Sequence, residues 1–340
     1  MKNLIKTLGL CFVAASIFVG PASAQDYKSE YRVSTIVPAP FAWGIAANKW
    51  VDLVRERTDG RINMKVYPGA QLVAGDQAKE FTAMRQGVID MAIGSTINWS
   101  AQVPELNLFS LPFLLPDYEA IDVLTEGDVG KQLFEKVVAR GVVPLAWGEN
   151  GFRELTNSVR PISKPEDLKG LKIRVTGSPL FQETFTALGA NPTQMSWSDA
   201  VPALTTGAVD GQENPIPVYV IAKLHNLEQK YVTLWHYVAD PLIFASNKDV
   251  WNSFTPEDQK IVAQAAVEAA KLNIELVRKG VTPDDQSVIR QVEGFGVEVV
   301  QLTPEAHKAF RDATRPTYEK WTKRVGVDLV KQAEEAIANR

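Results

Sequence analysis

The chain has 340 residues, of which 45% are hydrophobic and 22% charged, and its formal net charge at pH 7 is −4. This mildly acidic balance argues against nucleic acid and anionic membrane surfaces as partners, because both carry dense negative charge. The single cysteine, Cys11, lies in an N-terminal segment that we expect to be removed, which excludes a disulfide or a thiol nucleophile in the mature protein.

The first 24 residues have the pattern of a secretory signal peptide. Lys2 and Lys6 form a basic start, residues 8–19 are apolar, and an Ala-Ser-Ala cleavage pattern ends at Ala24. An uncleaved anchor and a lipoprotein formed at Cys11 are the alternatives, but the apolar run is shorter than the roughly 20 residues of a membrane span. We therefore expect cleavage after Ala24, a periplasmic location and a mature chain that does not insert into the membrane.

The segment that follows predicts alternating strands and helices. Strand-like patterns occur at residues 31–37, 62–66 and 88–93, and helical spacing occurs at residues 41–57 and 76–85. Such β-α-β alternation predicts a mostly parallel sheet with helices on both faces.

The same scheme returns after residue 150, and two of its stretches resemble each other. Residues 83–90 and residues 203–210 both end a helix with glycine and enter a strand with an aliphatic residue and aspartate. We interpret this as two lobes built on one plan, with chance similarity as the alternative because helix-glycine-strand junctions are common.

The C-terminal part is more helical. Thr255-Pro256-Glu257-Asp258 is typical of a helix start and predicts a long helix over residues 255–279. No low-complexity linker occurs, so we expect the chain to cross between the lobes more than once, with the long helix spanning the hinge. The predicted lobes are residues 25–151 plus about 240–279, and residues 152–239 plus about 280–340.

Motifs for catalysis are missing from the sequence. The three histidines do not occur at H-E-x-x-H spacing, and there is no G-x-S-x-G motif and no phosphate-binding loop. A binding protein is therefore favoured over an enzyme, and we expect no cofactor and no metal ion.

The most informative segment runs over residues 147–215. It contains N-G-x-R at residues 150–153, D-L-K-G-L-K-I-R-V at residues 167–175 and A-L-x-T-G-x-V-D-G-Q-E-N at residues 203–214. These motifs, in this order, resemble those of the solute-binding subunits of tripartite ATP-independent periplasmic (TRAP) transporters, the DctP-like family. The resemblance covers essentially the whole mature chain.

The resemblance implies a two-lobed α/β periplasmic binding protein fold. Each lobe would be a mixed, mostly parallel sheet flanked by helices. It also implies that a small organic acid is captured in the cleft between the lobes and delivered to the TRAP membrane permease subunits. A periplasmic sensor for a signalling receptor and a periplasmic enzyme are the alternatives.

Two arginines match the ligand-binding arginines of the family. The resemblance implies that Arg174 forms a paired salt bridge with the ligand carboxylate, and a guanidinium presents two parallel N–H donors that suit this role. The alternative is that Lys172 and Arg174 alternate onto a solvated strand face. Arg153 matches the second family arginine, with a surface salt bridge as its alternative.

Two further residues of the same lobe follow from the resemblance. Asn214 is similar to the family asparagine that hydrogen-bonds the carboxylate, although an asparagine before Pro215 is also typical of a turn. Trp197 stands where the family commonly has a phenylalanine that packs on the ligand, and lobe core is its alternative.

The N-terminal lobe offers polar and aromatic candidates. Asp76 and Ser95, with Thr96 and Asn98, lie at predicted strand-to-helix junctions that we expect to face the cleft. Phe41 and Trp43 follow the first strand, and with Trp99 they favour a monocarboxylate with an apolar or aromatic body as much as a dicarboxylate or sugar acid. Each of these aromatics has lobe core as its alternative.

Overall fold

A computed structural model describes residues 27–340, so the predicted signal peptide, with Cys11 and the cleavage position, lies outside the described residues. The strands are β1 (Tyr31–Ser34), β2 (Met64–Tyr67), β3 (Met91–Ser95), β4 (Val142–Phe152), β5 (Glu154–Asn157), β6 (Lys172–Val175), β7 (Asn191–Gln194), β8 (Gly211–Asn214), β9 (Tyr231–Leu234), β10 (Ala239–Asn247) and β11 (Glu298–Gln301). The helices are α1 (Ala42–Arg57), α2 (Glu80–Arg85), α3 (Thr96–Trp99), α4 (Tyr118–Glu126), α5 (Asp128–Ala139), α6 (Pro179–Ala187), α7 (Trp197–Thr205), α8 (Ile216–Ile221), α9 (Lys248–Ser253), α10 (Pro256–Arg278), α11 (Ser287–Gly294), α12 (Pro304–Val325) and α13 (Val327–Ala338).

The strands form two mixed sheets. The first has the order β2-β1-β3-β10-β4, in which β10 runs antiparallel to both neighbours and β1 pairs in parallel with β2 and β3. The second has the order β11-β9-β5-β8-β6-β7, in which β5 is antiparallel to β9 and β8. Helices flank both sheets, and the prediction of a two-lobed α/β fold is confirmed.

The chain passes between the two sheets at neighbouring places. Strand β4 ends at Phe152 and β5 begins at Glu154, so Arg153 is the single residue between a strand of the first sheet and a strand of the second. The return passage lies between β9 and β10, and the backbone N–H of Arg153 donates to the carbonyl of Val238 within it. These adjacent passages have the form of a hinge, while the residue boundaries of the lobes stay a prediction.

The long predicted helix is present as α10. The Thr255 side chain caps it by accepting the Asp258 backbone N–H at 3.2 Å, and the helix packs against α1 and β4. At its C-terminal end Arg278 pairs with Asp122 and Glu149, each at 2.6 Å. The end of α10 is thereby fixed to the strand that leads into the hinge.

The repeated sequence stretch builds the same local arrangement twice. Gly87 and Gly207 have positive φ angles of 74° and 69°, which glycine adopts without steric cost. The Asp90 carboxylate then accepts the backbone N–H of Arg32 at 2.8 Å, and the Asp210 carboxylate accepts that of Lys172 at 2.7 Å. This correspondence supports one plan for both lobes.

Apolar side chains form three buried clusters around these sheets. One is centred on α1, α10 and the first sheet, and another is formed by α7, α8 and α11 with strand β9 of the second sheet. The third extends from Phe81 to Ala333 and includes residues of both sheets. Within residues 27–340, none of the helices combines the length and the apolar composition that a membrane crossing requires.

Candidate ligand-binding cleft

A cleft of about 630 Å³, partly open to solvent, lies between the two sheets. Its apolar lining comes from Ile36, Val37, Phe41, Ala42, Trp43, Trp197, Pro217, Val218, Ile221 and Val277. Its polar lining comes from Gln77, Ser95, Asn98, Asn150, Arg153, Arg174, Thr176, Asn214 and Asp240.

Arg174 is a buried cation without a carboxylate partner. It lies on β6, is 1% exposed, and donates from Nε and Nη2 to the carbonyl of Met195 at 3.1 and 2.9 Å. No described carboxylate lies within the 4.0 Å of an ion pair with it. Burial lowers its pKa to about 10, although Glu213 raises the pKa and Arg153 lowers it further. Arg174 is therefore charged at pH 7 and suited to an external anion.

Arg153 is also buried, but the protein neutralises it. Its Nε and Nη2 bond both carboxylate oxygens of Glu213, the Nη2–Oε1 distance being 2.9 Å, and its Nη1 lies 3.2 Å from Asp240 Oδ2. Burial would lower its pKa, but Glu213 and Asp240 raise the pKa above its ordinary value. Its salt bridge is therefore internal and not on the surface, and the residue also lines the cleft.

Asn214 and Trp197 lie on the same side of the cleft as Arg174. Asn214 ends β8 and donates one amide N–H to Gln212, which leaves the second N–H available. Trp197 begins α7, is partly buried, and packs against the apolar clusters of both sheets. Its ring centroid lies 5.9 Å from the guanidinium of Arg174, so this ring forms part of the wall around the cation.

Residues of the first sheet and of α1 close the opposite side. Phe41 and Trp43 line the cleft, and the Trp43 indole N–H donates to the Ile93 carbonyl at 3.0 Å, which fixes the ring. Ser95 also lines it, but its hydroxyl donates to Asp240 and accepts the Ile97 backbone N–H at 3.1 Å. These contacts commit the Ser95 hydroxyl to the protein.

Asp76 lies outside the cleft lining. Its carboxylate accepts the backbone N–H of Ala78 at 3.2 Å and pairs with Lys79 at 2.9 Å. An aspartate at the first turn of a helix commonly caps it in this way, and this accounts for its position in the sequence. Trp99 is likewise internal, since its indole donates to the buried Glu80 at 3.2 Å.

Several cleft residues were not predicted from the sequence. Asp240 on β10 accepts hydrogen bonds from Ser95, Asn150 and Arg153. Gln77 donates to Asn98 at 3.1 Å and accepts the backbone N–H of Trp197 at 3.3 Å, so it joins the two sides. Asn150 occurs within the N-G-x-R motif, which was a usable signal, whereas nothing around Asp240 or Gln77 distinguishes them.

Similarity to known proteins agrees with this arrangement. The family model for bacterial extracellular solute-binding protein, family 7 (DctP) matches residues 33–324. The 2,3-diketo-L-gulonate-binding periplasmic protein YiaO of Escherichia coli is 36% identical over 86% of this chain and 87% of its own.

Solved structures of TRAP periplasmic solute-binding proteins also match. One from Ralstonia eutropha, with bound (S)-2-acetolactate, is 62% identical and has a TM-score of 0.92. The match covers 92% of this chain and 100% of the Ralstonia chain. One from Polaromonas, bound to D-erythronate, is 30% identical with a TM-score of 0.83, and the match covers 90% of this chain and 98% of the Polaromonas chain. The chain therefore belongs to the DctP family of bacterial extracellular solute-binding proteins, and the prediction of a TRAP-type solute-binding protein is confirmed.

Proposed function

We propose that this protein captures a small monocarboxylate with a compact, largely apolar body and releases it unchanged to a TRAP permease. The observation that carries the proposal is the guanidinium of Arg174, which is buried in the cleft with a carbonyl as its partner and no carboxylate. A ligand carboxylate supplies the missing negative charge, and exclusion of water strengthens the resulting ion pair.

The charges around the cleft favour one ligand carboxylate over two. Arg153 is paired with Glu213 and Asp240, so among the described lining residues Arg174 is the arginine that has no carboxylate in direct contact. Asp240 contributes a negative charge to the wall. A second carboxylate on the ligand would find no free cation and would approach this anion, which costs free energy in a buried site.

The remaining lining suits an apolar ligand body. Phe41, Trp43, Val218 and Ile221 are among the side chains that face the cleft. The Ralstonia relative, at 62% identity, was solved with (S)-2-hydroxy-2-methyl-3-oxobutanoate, a branched five-carbon monocarboxylate. We infer that the present cleft takes acids of this size and shape.

Binding follows a clamp mechanism in this proposal. The carboxylate docks on Arg174, with Asn214 and Trp197 beside it, and the N-terminal lobe closes. The contact of Gln77 with the Trp197 backbone N–H then joins the two sides. The closed surface is what the permease recognises. The signal peptide directs export to the periplasm and is cleaved after Ala24.

Isothermal titration calorimetry with a set of acids tests the proposal. The probes are 2-acetolactate, its stable analogue 2-hydroxy-2-methylbutanoate, succinate and galacturonate. We expect the two branched monocarboxylates to bind at least about tenfold more tightly than succinate, since one unpaired carboxylate in a buried site costs more than 1.4 kcal/mol. Tighter binding of succinate would refute the monocarboxylate assignment. Tighter binding of galacturonate, a monocarboxylate with several hydroxyl groups, would refute the compact apolar body, and recovery of a chemically altered acid would refute the transport role.

A further inference from the structure

Thr176 has a buried hydroxyl for which the protein provides no partner. The residue is 4% exposed, and its Oγ1 makes no hydrogen bond to any residue of the described range 27–340. Other buried polar atoms in that range also lack partners, but Thr176 is the one among them that lines the cleft. A buried hydroxyl without a partner is costly, so this position is suited to a polar group of the ligand.

The backbone places this hydroxyl close to the cation. Thr176 directly follows β6, two positions after Arg174, and both residues line the cleft. Side chains two positions apart in extended backbone lie on the same side, about 7 Å from each other. This spacing lets a short acid hold its carboxylate on the guanidinium and an oxygen of carbon 2 or carbon 3 against the hydroxyl.

Two other polar side chains of the cleft are occupied to a greater extent. Ser95 is committed to Asp240 and Ile97, and the carbonyl group of the Asn98 side chain accepts from Gln77. A threonine hydroxyl both donates and accepts, so it pairs equally well with a hydroxyl or a keto oxygen on the ligand.

We propose that Thr176 is a specificity-determining residue that selects acids with an oxygen substituent next to the carboxylate. This inference rests on the proposed function, because it presupposes a carboxylate on Arg174. Acids that carry a methyl group in place of the oxygen leave the Thr176 hydroxyl unpaired and bind more weakly. Sites built to hydrogen-bond a ligand hydroxyl discriminate in this way against analogues that lack it.

Titration calorimetry with two acids of matched shape tests the role of Thr176. The acids are 2-hydroxy-2-methylbutanoate and 2,2-dimethylbutanoate, which differ in a hydroxyl against a methyl group. The proteins are the wild type, Thr176→Val, which keeps the shape and removes the hydroxyl, and Thr176→Ser, which keeps the hydroxyl. We expect the wild type and Thr176→Ser to prefer the hydroxy acid by about tenfold or more, and Thr176→Val to lose at least about fivefold of that preference.

The outcomes separate the proposed function from the specificity role of Thr176. A wild type that binds neither acid refutes the proposed monocarboxylate function, and the role of Thr176 with it. A wild type that binds both acids without preference leaves the function standing and refutes the specificity role. If Thr176→Val weakens the binding of both acids equally, the residue contributes only packing and the specificity role is refuted. A loss of preference smaller than about fivefold in that variant refutes the specificity role as well.

Discussion

Replacing Arg174 by methionine separates the binding role of this residue from its effect on folding. Methionine has a similar length, packs in an apolar surrounding and carries no charge. Because the guanidinium is buried without a carboxylate partner, we expect the substitution to abolish ligand binding and to leave the unliganded protein at least as stable as the wild type.

Both magnitudes follow from the burial of the charge. The lowering of the Arg174 pKa from 12.5 to about 10 corresponds to about 3 kcal/mol of destabilisation by the buried charge. This penalty is fully present at pH 7, where the folded and unfolded chains both carry the proton. Loss of the two hydrogen bonds to Met195 offsets about 1–2 kcal/mol of the gain. Removal of one partner of a buried ion pair costs the complex about 3–5 kcal/mol, a loss of affinity of roughly 10² to 10³ or more.

Two measurements on the same samples test the predicted effects on stability and on affinity. Urea unfolding of the unliganded protein gives the free energy of unfolding, and titration calorimetry with 2-hydroxy-2-methylbutanoate gives the affinity. Lys172→Met is the matched control, because Lys172 lies on the same strand but is half-exposed and pairs with Asp210. A stable Arg174→Met protein that keeps wild-type affinity would refute the assignment of the carboxylate to this side chain. A loss of more than about 2 kcal/mol of stability would refute the unpaired state of the buried charge.

Three further substitutions test the charges and contacts around the cleft. Asp240→Asn removes a negative charge from the cleft wall and leaves Arg153 paired with Glu213 alone. Calorimetry should therefore show that the affinity for succinate rises about tenfold relative to the affinity for a monocarboxylate. Gln77→Ala removes the hydrogen bond to the Trp197 backbone across the cleft, and we expect about fivefold weaker binding by calorimetry with the stability of the unliganded form preserved within about 1 kcal/mol. Glu80→Gln should make the stability less dependent on pH, which urea unfolding at pH 5 and pH 8 measures.

The sign of the Glu80 effect follows from its burial. Burial raises the pKa of Glu80 to about 7, although the hydrogen bonds from Ser34 and Trp99 lower the pKa. The unfolded chain releases this proton near pH 4.3, so the folded protein binds the extra proton between about pH 4.5 and 7, and its stability falls as the pH rises through that range. The wild type should lose up to about 3 kcal/mol there that Glu80→Gln retains.

Definite results would contradict each of these three expectations. Parallel pH profiles for the wild type and Glu80→Gln would show that Glu80 ionises normally. An unchanged preference for monocarboxylates in Asp240→Asn would remove Asp240 from the basis of selectivity. Wild-type affinity in Gln77→Ala would show that its cross-cleft contact does not stabilise the closed form.

Much of the fold could be predicted because local sequence signals agree with the tertiary structure. The capping pattern at Thr255 and the apolar spacing after it place α10 within a residue of its observed bounds. Glycine followed by an aliphatic residue and aspartate marks the same turn in both lobes. The pairing order of the strands could not be predicted in the same way, because β10 inserts between β3 and β4 through contacts that are distant in sequence.

The cleft was predictable only in part, for a physical reason. Arg174 and Asn214 occur in motifs, but a motif does not state which charges cancel. The neutralisation of Arg153 depends on Glu213 and on Asp240, which are 60 and 87 residues away in the chain. Thr176 has no sequence signal at all, because its significance is the absence of a partner. The neutralisation of Arg153 and the unpaired hydroxyl of Thr176 can therefore be recognised only in the folded structure.

The pairing of Arg153 also connects the hinge to the chemistry of the cleft. Arg153 is the residue between β4 and β5, and its partners come from β8 in the second sheet and β10 in the first. The buried ion pairs therefore link the two sheets at the point where the chain crosses between them. Because this cation is used to hold the crossing together, we expect the ligand carboxylate to bind Arg174, and this expectation is the basis for proposing an acid with one carboxylate.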